Sequence, residues 1–211
     1  MTNEYTFPFS TCEKISSSYV AQPYSALTNV ANCIIITYFL VRIRNQYVFM
    51  FLLSLLLFEV FHTFSHIIHI AGNLQVNITH TLSYLINFSF VYFIINYTKY
   101  YPSFPAIILY LLLICFDIYA FTHLNIAFFI LSQGILFISV LLYYYSMLPK
   151  ILKARFPLLV VLIIFIVFLV LNEIYNCDTM LQFNQDIPYH VMNETAGIAL
   201  FYLLSSSVYR A

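Results

Sequence analysis

Long apolar runs dominate this sequence and leave few folds open to it. The chain has 211 residues, of which 63% are hydrophobic and 8% are charged, whereas soluble domains carry about 25% charged residues. A helix that spans a bilayer needs about 20 mostly apolar residues, and the sequence contains seven such runs. It therefore predicts an all-α fold, a seven-transmembrane helix bundle. The predicted spans are residues 24–41, 47–70, 76–97, 104–121, 124–147, 156–175 and 188–208.

The positions of the basic residues predict the orientation of the bundle. With a luminal or extracellular N-terminus, seven of the eight Lys and Arg residues fall on the cytoplasmic side and only Lys14 falls outside, as cytoplasmic loops require. This divides the chain into a luminal segment (1–23), a membrane domain (24–208) and a cytoplasmic tail (209–211). The seven cytoplasmic basic residues are Arg42, Arg44, Lys99, Lys150, Lys153, Arg155 and Arg210. Residues 150–157 are expected to form a cytoplasmic loop.

Other properties of the sequence bear on membrane insertion, partners and cellular location. The first twenty residues contain no apolar signal segment, so the first helix is expected to act as the signal anchor. A net charge of zero gives no indication of a nucleic-acid partner. The bilayer of an endomembrane (ER or Golgi) or of the plasma membrane is the expected surroundings, and the sequence leaves the oligomeric state open.

The second predicted span carries an unusual stripe of titratable residues. Glu59, His62, His66 and His69 fall within roughly 80° on a helix, with Ser65 at the edge. Ionisable side chains are costly in a membrane and usually face the bundle interior. Three imidazoles on one face predict a metal or cofactor site, although a set of hydrogen-bonded interior histidines is the plainer alternative.

Three further candidates lie at a similar depth near the outer face. His80 begins the third predicted span, and His190 and Glu194 share one face of the seventh. Imidazole and carboxylate groups are ordinary zinc ligands, and a catalytic zinc uses three of them plus a water. The sequence thus predicts a zinc site for hydrolysis of a lipid amide or ester. Asp117, in the fourth span, either supports this site or faces the membrane interface.

Two cysteines fall in segments predicted to lie outside the cytosol, where disulfides form. Cys12 belongs to the N-terminal segment, and Cys177 is placed in the loop between the sixth and seventh spans. A Cys12–Cys177 disulfide would tie the N-terminal segment to the start of the seventh helix. Connectivity does not follow from sequence alone. Cys33 and Cys115 lie within spans and are interpreted as packing residues.

Short motifs along the chain resemble those of alkaline ceramidases. CEKISSSYVAQPYSALTN resembles their Cys-Glu signature before the first helix, and Ser65-x-x-x-His69 resembles a motif of their second helix. LNEIYNCDTM and HVMNETAGIALFYL resemble the end of their sixth helix and the His-containing part of their seventh. The likeness extends more loosely to the intramembrane hydrolase superfamily that includes progestin and adiponectin receptors and GPI-lipid remodelling proteins.

This resemblance implies a zinc-dependent hydrolase that cleaves the amide bond of a ceramide-like lipid substrate. Carried over, His69 and His190 are zinc ligands, and Ser65 steadies the water or the oxyanion. Two positions depart from the family pattern: a helix-seven His is Glu194, and an Asp is His80. We interpret this as an exchanged ligand set, His69, His80 and His190, with Glu194 as fourth ligand or general base. Glu194 or His80 is expected to pass the proton to the leaving amine. His62 and His66 are expected beside the ligands, or in packing.

The resemblance also implies a calcium site, which this sequence matches poorly. Glu13 is retained, and Glu173 or Asp178 is available as a further ligand, but Gln22 stands where an acid is expected. Calcium takes six to eight oxygens, several of them from carboxylates. We therefore do not expect calcium to bind.

Several alternatives stay open. The altered ligands also fit a non-catalytic membrane protein of the same superfamily, such as a receptor or fusogen. A haem protein is a further alternative, because His66 or His69 could pair with His190 across helices. Membrane desaturases use about eight cytoplasmic histidines, whereas this chain has six, predicted to lie mainly at the outer side.

Overall fold

The computed structural model describes residue 20 and residues 22–68, 72–123, 126–183 and 186–209. Within this part of the chain the fold is all-helical, as predicted, with seven α-helices, one short 3₁₀ helix and no strand. The helices are α1 (Pro23–Leu40), α2 (Gln46–Ile67), α3 (Gly72–Thr98), α4 (Phe104–His123), α5 (Ile126–Tyr143), the 3₁₀ turn η1 (Tyr145–Met147), α6 (Lys150–Gln182) and α7 (Asp186–Tyr209).

Local sequence explains where the first two helices start. Pro23 occupies the first turn of α1, where its missing N–H is no loss and its fixed φ suits a helix. Asn45 caps α2, because its side chain accepts hydrogen bonds from the backbone N–H groups of Tyr47 and Val48. Both helices begin within one residue of the predicted spans.

Two expectations about connecting segments are wrong. Residues 150–157 were expected to form a cytoplasmic loop, but they are the first turns of α6, which includes Pro157. Cys177 was expected in the loop after the sixth span, but α6 continues to Gln182 and contains it. With 33 residues, α6 is about 50 Å long, whereas a bilayer core is about 30 Å thick. Apolar length marks the part that fits the bilayer, and the helix continues beyond it at both ends.

Six of the seven α-helices form a ring, and α4 packs on the outside of it. Among the described residues, the ring runs α1–α2–α3–α5–α6–α7 and closes between α7 and α1. The main neighbour of α4 is α5. The apolar core occupies one half of the ring and includes Phe51, Phe93, Leu141 and Val208. Most of the buried polar side chains lie in the other half, towards the end of α2 and the start of α1.

The distribution of side chains is that of a protein in an apolar surrounding. Large apolar side chains such as Leu27, Leu112 and Val161 are exposed, whereas Asn29, Glu59 and Asp117 are buried. Water would make so large an exposed apolar surface unfavourable, and a bilayer makes it favourable. Four helical segments of the described chain are long and apolar enough to cross a membrane: Gln46–Ile67, Asn77–Thr98, Phe104–Thr122 and Lys150–Glu173.

Arg155 joins α6 to the last turns of α7. Its Nη1 atom donates to Ser206 Oγ, to Ser207 Oγ at 3.1 Å and to the Leu203 carbonyl at 3.4 Å. A cation close to the last carbonyls of a helix is also favoured by the helix dipole. This side chain therefore holds one end of the bundle together.

We expect Arg155→Ala to lower the free energy of unfolding by about 1–2 kcal/mol, the range for hydrogen bonds of this kind between membrane helices. Thermal unfolding of the detergent-purified protein measures this effect. Arg44→Ala is the matched control, because Arg44 is exposed and its loss should leave the midpoint unchanged. Equal midpoints for Arg155→Ala and wild type would contradict the structural role of Arg155.

Candidate functional site

The first buried polar cluster lies between α1 and α2 and consists of Gln22, Asn32, Glu59, His62 and His66. Gln22 and His66 are joined twice: Nδ1 of His66 lies 2.7 Å from Oε1 of Gln22, and the Gln22 N–H donates to the His66 carbonyl at 2.9 Å. That carbonyl is among the last of α2, which have no partner within the helix. The pair fixes the end of α2 to the start of α1.

Glu59 occupies the deeper part of this α1–α2 cluster. Its side chain is buried, and Asn32 Nδ2 donates to Glu59 Oε2 at 3.3 Å. His62 Nδ1 lies 3.8 Å from the same oxygen, and the His62 and His66 rings are 4.8 Å apart. The predicted stripe on α2 is therefore present, and Glu59 bonds to the neighbouring helix.

The side-chain amide of Asn29, one helical turn before Asn32, has no hydrogen-bond partner. Both side-chain polar atoms of Asn29 are buried without a hydrogen bond, on the helix that packs against both α2 and α7. Buried polar groups are nearly always satisfied. Asn29 therefore leaves unused hydrogen-bonding capacity close to the α1–α2 cluster.

The second polar cluster joins α3, α4 and α5 around Asp117, which is fully buried. Three donors reach its carboxylate: Tyr84 Oη at 2.7 Å, Gln133 Nε2 at 2.8 Å and Ser132 Oγ. Asn87 extends the network by donating to Gln133 Oε1 at 2.8 Å. Of the two alternatives for Asp117, an interfacial position is wrong, because a buried carboxylate with three donors lies inside the bundle.

His80 belongs to this α3–α4–α5 cluster. Its ring stacks on Phe121 with centroids 4.0 Å apart, and Phe129 lies edge-on at 5.3 Å. Its Nε2 atom is 3.0 Å from Tyr84 Oη and 3.7 Å from Asp117 Oδ2. Because the Tyr84 hydroxyl gives its proton to Asp117, its oxygen can only accept from His80. In this arrangement Nε2 carries the proton, and only Nδ1 keeps a lone pair.

The structure describes the remaining predicted site residues to different extents. Ser65 is buried, and its hydroxyl donates to the His62 carbonyl at 2.7 Å. α2 ends at Ile67 and Ile68 is extended, so the predicted helical face is continuous only as far as His66. His69, Glu13 and Cys12 lie outside the described residues. Only the backbone is described for His190 and Glu194, and it places them one turn apart within the continuous helix α7.

The predicted calcium and disulfide residues are resolved in part. Glu173 is buried within α6. Cys33 and Cys115 are free. Pairing of Cys177 with Cys12 stays a prediction. Across the described residues, no group of three or more His, Cys, Asp or Glu side chains is arranged to hold a metal.

Some members of the clusters carried no clear signal in the sequence. Tyr84 is four residues after His80 and so shares its helix face, a spacing that could have linked them. Ser132 and Gln133 both donate to Asp117, and their positions in the sequence do not indicate this partner. Gln22 was weighed only as a poor calcium ligand, and its bonds to His66 could not be foreseen without knowing how α1 faces α2.

No family model, no curated protein and no solved structure matches this chain. The resemblance to alkaline ceramidases therefore stays a prediction based on the quoted motifs.

We expect Asp117→Ala to lower the free energy of unfolding by about 2–5 kcal/mol. The substitution removes the acceptor that three donors share, and hydrogen bonds between membrane helices contribute about 0.6–1.7 kcal/mol each. Unfolding midpoints in detergent would show this, with Asp178→Ala as control because Asp178 is exposed on α6. If both variants lose the same small amount, the Asp117 network does not stabilise the fold.

Proposed function

We propose that the chain is a seven-span membrane protein with its N-terminus on the luminal or extracellular side. Seven α-helices follow one another in the described chain, and six of them close a ring. α1, α5 and α7 fall below the length or apolarity of a typical span in their described parts, but each packs against helices that reach it. Seven of the eight basic residues lie on one side in this topology.

This topology predicts that the two termini lie on opposite faces of the membrane. An epitope tag at the N-terminus should be reached by antibody from outside sealed cells or from the lumen of vesicles, and a tag at the C-terminus only after permeabilisation. Protection of both tags under the same conditions would rule out an odd number of spans. Arg42 and Arg44, replaced in turn by cysteine, provide an internal control for the cytoplasmic side.

We further propose that the protein is a zinc-dependent hydrolase that cleaves the amide bond of a ceramide-like lipid. The observation that carries this proposal is the concentration of buried polar and titratable side chains at one end of an otherwise apolar bundle. Folding does not require Glu59, His62, His66 and Asn29 in the apolar interior, and such groups in membrane segments mark functional sites.

The donor set that we propose for this end suits zinc. His69, His190 and Glu194 supply two imidazoles and a carboxylate, a combination that catalytic zinc sites use. Continuity of α7 from Asp186 to Tyr209 keeps His190 and Glu194 on one face, and α7 packs against both α1 and α2. Unused polar capacity at Asn29, on α1, agrees with a polar occupant nearby. Zinc bound here would supply a nucleophilic water and polarise the amide carbonyl.

The chain's own residues have separate roles in this proposal. The two hydrogen bonds between Gln22 and His66 position the end of α2. His69 follows three residues later in the sequence. Glu194 can take the proton from water and pass it to the leaving amine. Ser65 has one proton and gives it to the His62 carbonyl, so its hydroxyl must rotate before it can donate to an oxyanion.

We propose a different role for His80 from the one that the motif comparison implies. Its Nε2–H is bound to Tyr84, and its ring is held between aromatic side chains of α4 and α5. We therefore place His80 in a supporting network with Asp117 and leave it out of the proposed ligand set. This reduces the set to His69, His190 and Glu194.

A non-catalytic membrane protein is the second candidate function. It is favoured by the partners that the described titratable groups already have, since His66 is bonded to Gln22, His80 to Tyr84 and Asp117 to three donors. Fully paired polar groups can serve helix association alone. Measurements of zinc content and lipid turnover separate the two candidates.

We expect about one zinc per chain in the detergent-purified protein, lost in His190→Ala and retained in His80→Ala. Elemental analysis gives the metal content, and His80→Ala is the control because its side chain also contributes an imidazole. Hydrolysis of a short-chain ceramide should fall by at least about a hundredfold in His190→Ala, since even outer groups around a metal are worth 10–100-fold. Absence of zinc and of turnover in the wild type would favour the non-catalytic candidate.

A further inference from the structure

A cavity of about 260 Å³ lies between α3, α4 and α5, apart from both polar clusters. Its walls are almost entirely apolar, with Phe88 from α3, Ala106 from α4 and Val140 from α5 among them. None of the described residues that line it carries a charge. Small-molecule pockets of about 300 Å³ and more are typically of this kind, mostly apolar with a few polar groups.

Two hydroxyl groups of the cavity lining have no partner. Tyr110 and Tyr144 both line the cavity, and the Oη atom of each is buried without a hydrogen bond. The Tyr144 side chain is nearly completely buried. Buried hydroxyls usually have a hydrogen-bond partner. Two hydroxyls without a partner in one apolar cavity indicate a ligand with an acceptor oxygen.

The bilayer is the natural source of that ligand. α4 packs mainly on α5, and it exposes Leu109 and Leu112 by 59% and 60% of their surface. Leu109 also lines the cavity, so the cavity borders a helix face that contacts lipid. A ligand can enter beside α4 without crossing the ring of helices.

We propose that this cavity binds a neutral monoacyl lipid, with the acyl chain against the apolar wall and a carbonyl or hydroxyl oxygen accepting from Tyr110 or Tyr144. The cavity volume suits one chain, and the absence of a cation among the described lining residues disfavours a carboxylate or phosphate head. The proposal does not rest on the hydrolase function, because Asp117 lies two helical turns, about 10 Å, beyond Tyr110 on α4. A non-catalytic protein would bind the same lipid.

Photolabelling tests this site directly. The full chain, in phospholipid nanodiscs, is exposed to a monoacylglycerol with a diazirine in its acyl chain, and labelled peptides are identified by mass spectrometry. Labelling is expected in α4 and α5, with competition from unlabelled monoacylglycerol but not from diacyl phospholipid. Labelling that is uniform over all lipid-facing helices, or that phospholipid removes, would overturn the proposal.

Matched substitutions separate filling of the cavity from a change at the lipid surface. Ala106→Trp places a large ring in the cavity and should reduce specific labelling at least tenfold. Leu112→Trp changes the same helix at an exposed position outside the lining and should leave labelling unchanged. Equal labelling of the two variants would contradict the assigned site.

Removal of the hydroxyls gives a second, independent readout. At least one of the two variants Tyr110→Phe and Tyr144→Phe should weaken competition by monoacylglycerol about fivefold, as expected for loss of one hydrogen bond. The unfolding midpoint without ligand should stay the same or rise, because each change removes an unsatisfied buried group. Unchanged competition with a lowered midpoint would show that the hydroxyls are structural and that the proposal is wrong.

Discussion

The satisfaction of polar groups in the absence of water is the constraint on which this structure depends. Hydrocarbon provides no hydrogen bonds, so a polar group on a membrane helix must find its partner inside the protein. Asp117 draws donors from two other helices, and through Tyr84 and Gln133 it connects α3, α4 and α5. The Gln22–His66 pair does the same for α1 and α2. These contacts set the rotation of each helix, which packing of similar apolar side chains leaves poorly defined.

The sequence predicted the number and approximate positions of the helices, because apolar length is imposed by bilayer thickness and is visible in composition. It predicted helix ends less well. Pro157 and Lys150 suggested a loop, but α6 begins at Lys150 and continues through Pro157, since proline is tolerated in membrane helices where neighbours satisfy the freed groups. Cys177 lies in α6 for a related reason: a helix does not end where its apolar residues end. Termini are set by capping and tertiary contacts, which act outside the apolar window.

The site residues, like the helices, could be predicted from sequence only in part. Glu59, His62 and His66 were predicted to share a face of α2, and they do, because helical periodicity alone determines that result. The partner of each face could not be predicted. Polar residues of α3 point in several directions, with Thr79 and Ser83 buried but Asn77 exposed, so its sequence does not reveal which side faces which neighbour. His80 was consequently expected beside α2 and α7, and it lies against α4 and α5.

The position of His80 changes what the proposed zinc site can do. α3 touches both α2 and α5 in the ring, and the His80 side chain contacts Phe121 of α4 and Phe129 of α5. Four protein ligands would close a tetrahedral site and make it structural. Without His80, the proposed set of His69, His190 and Glu194 leaves the fourth position open, as catalytic zinc sites require. His80, which departs from the alkaline ceramidase motif, is therefore compatible with the proposed hydrolysis if zinc is held by the other three residues.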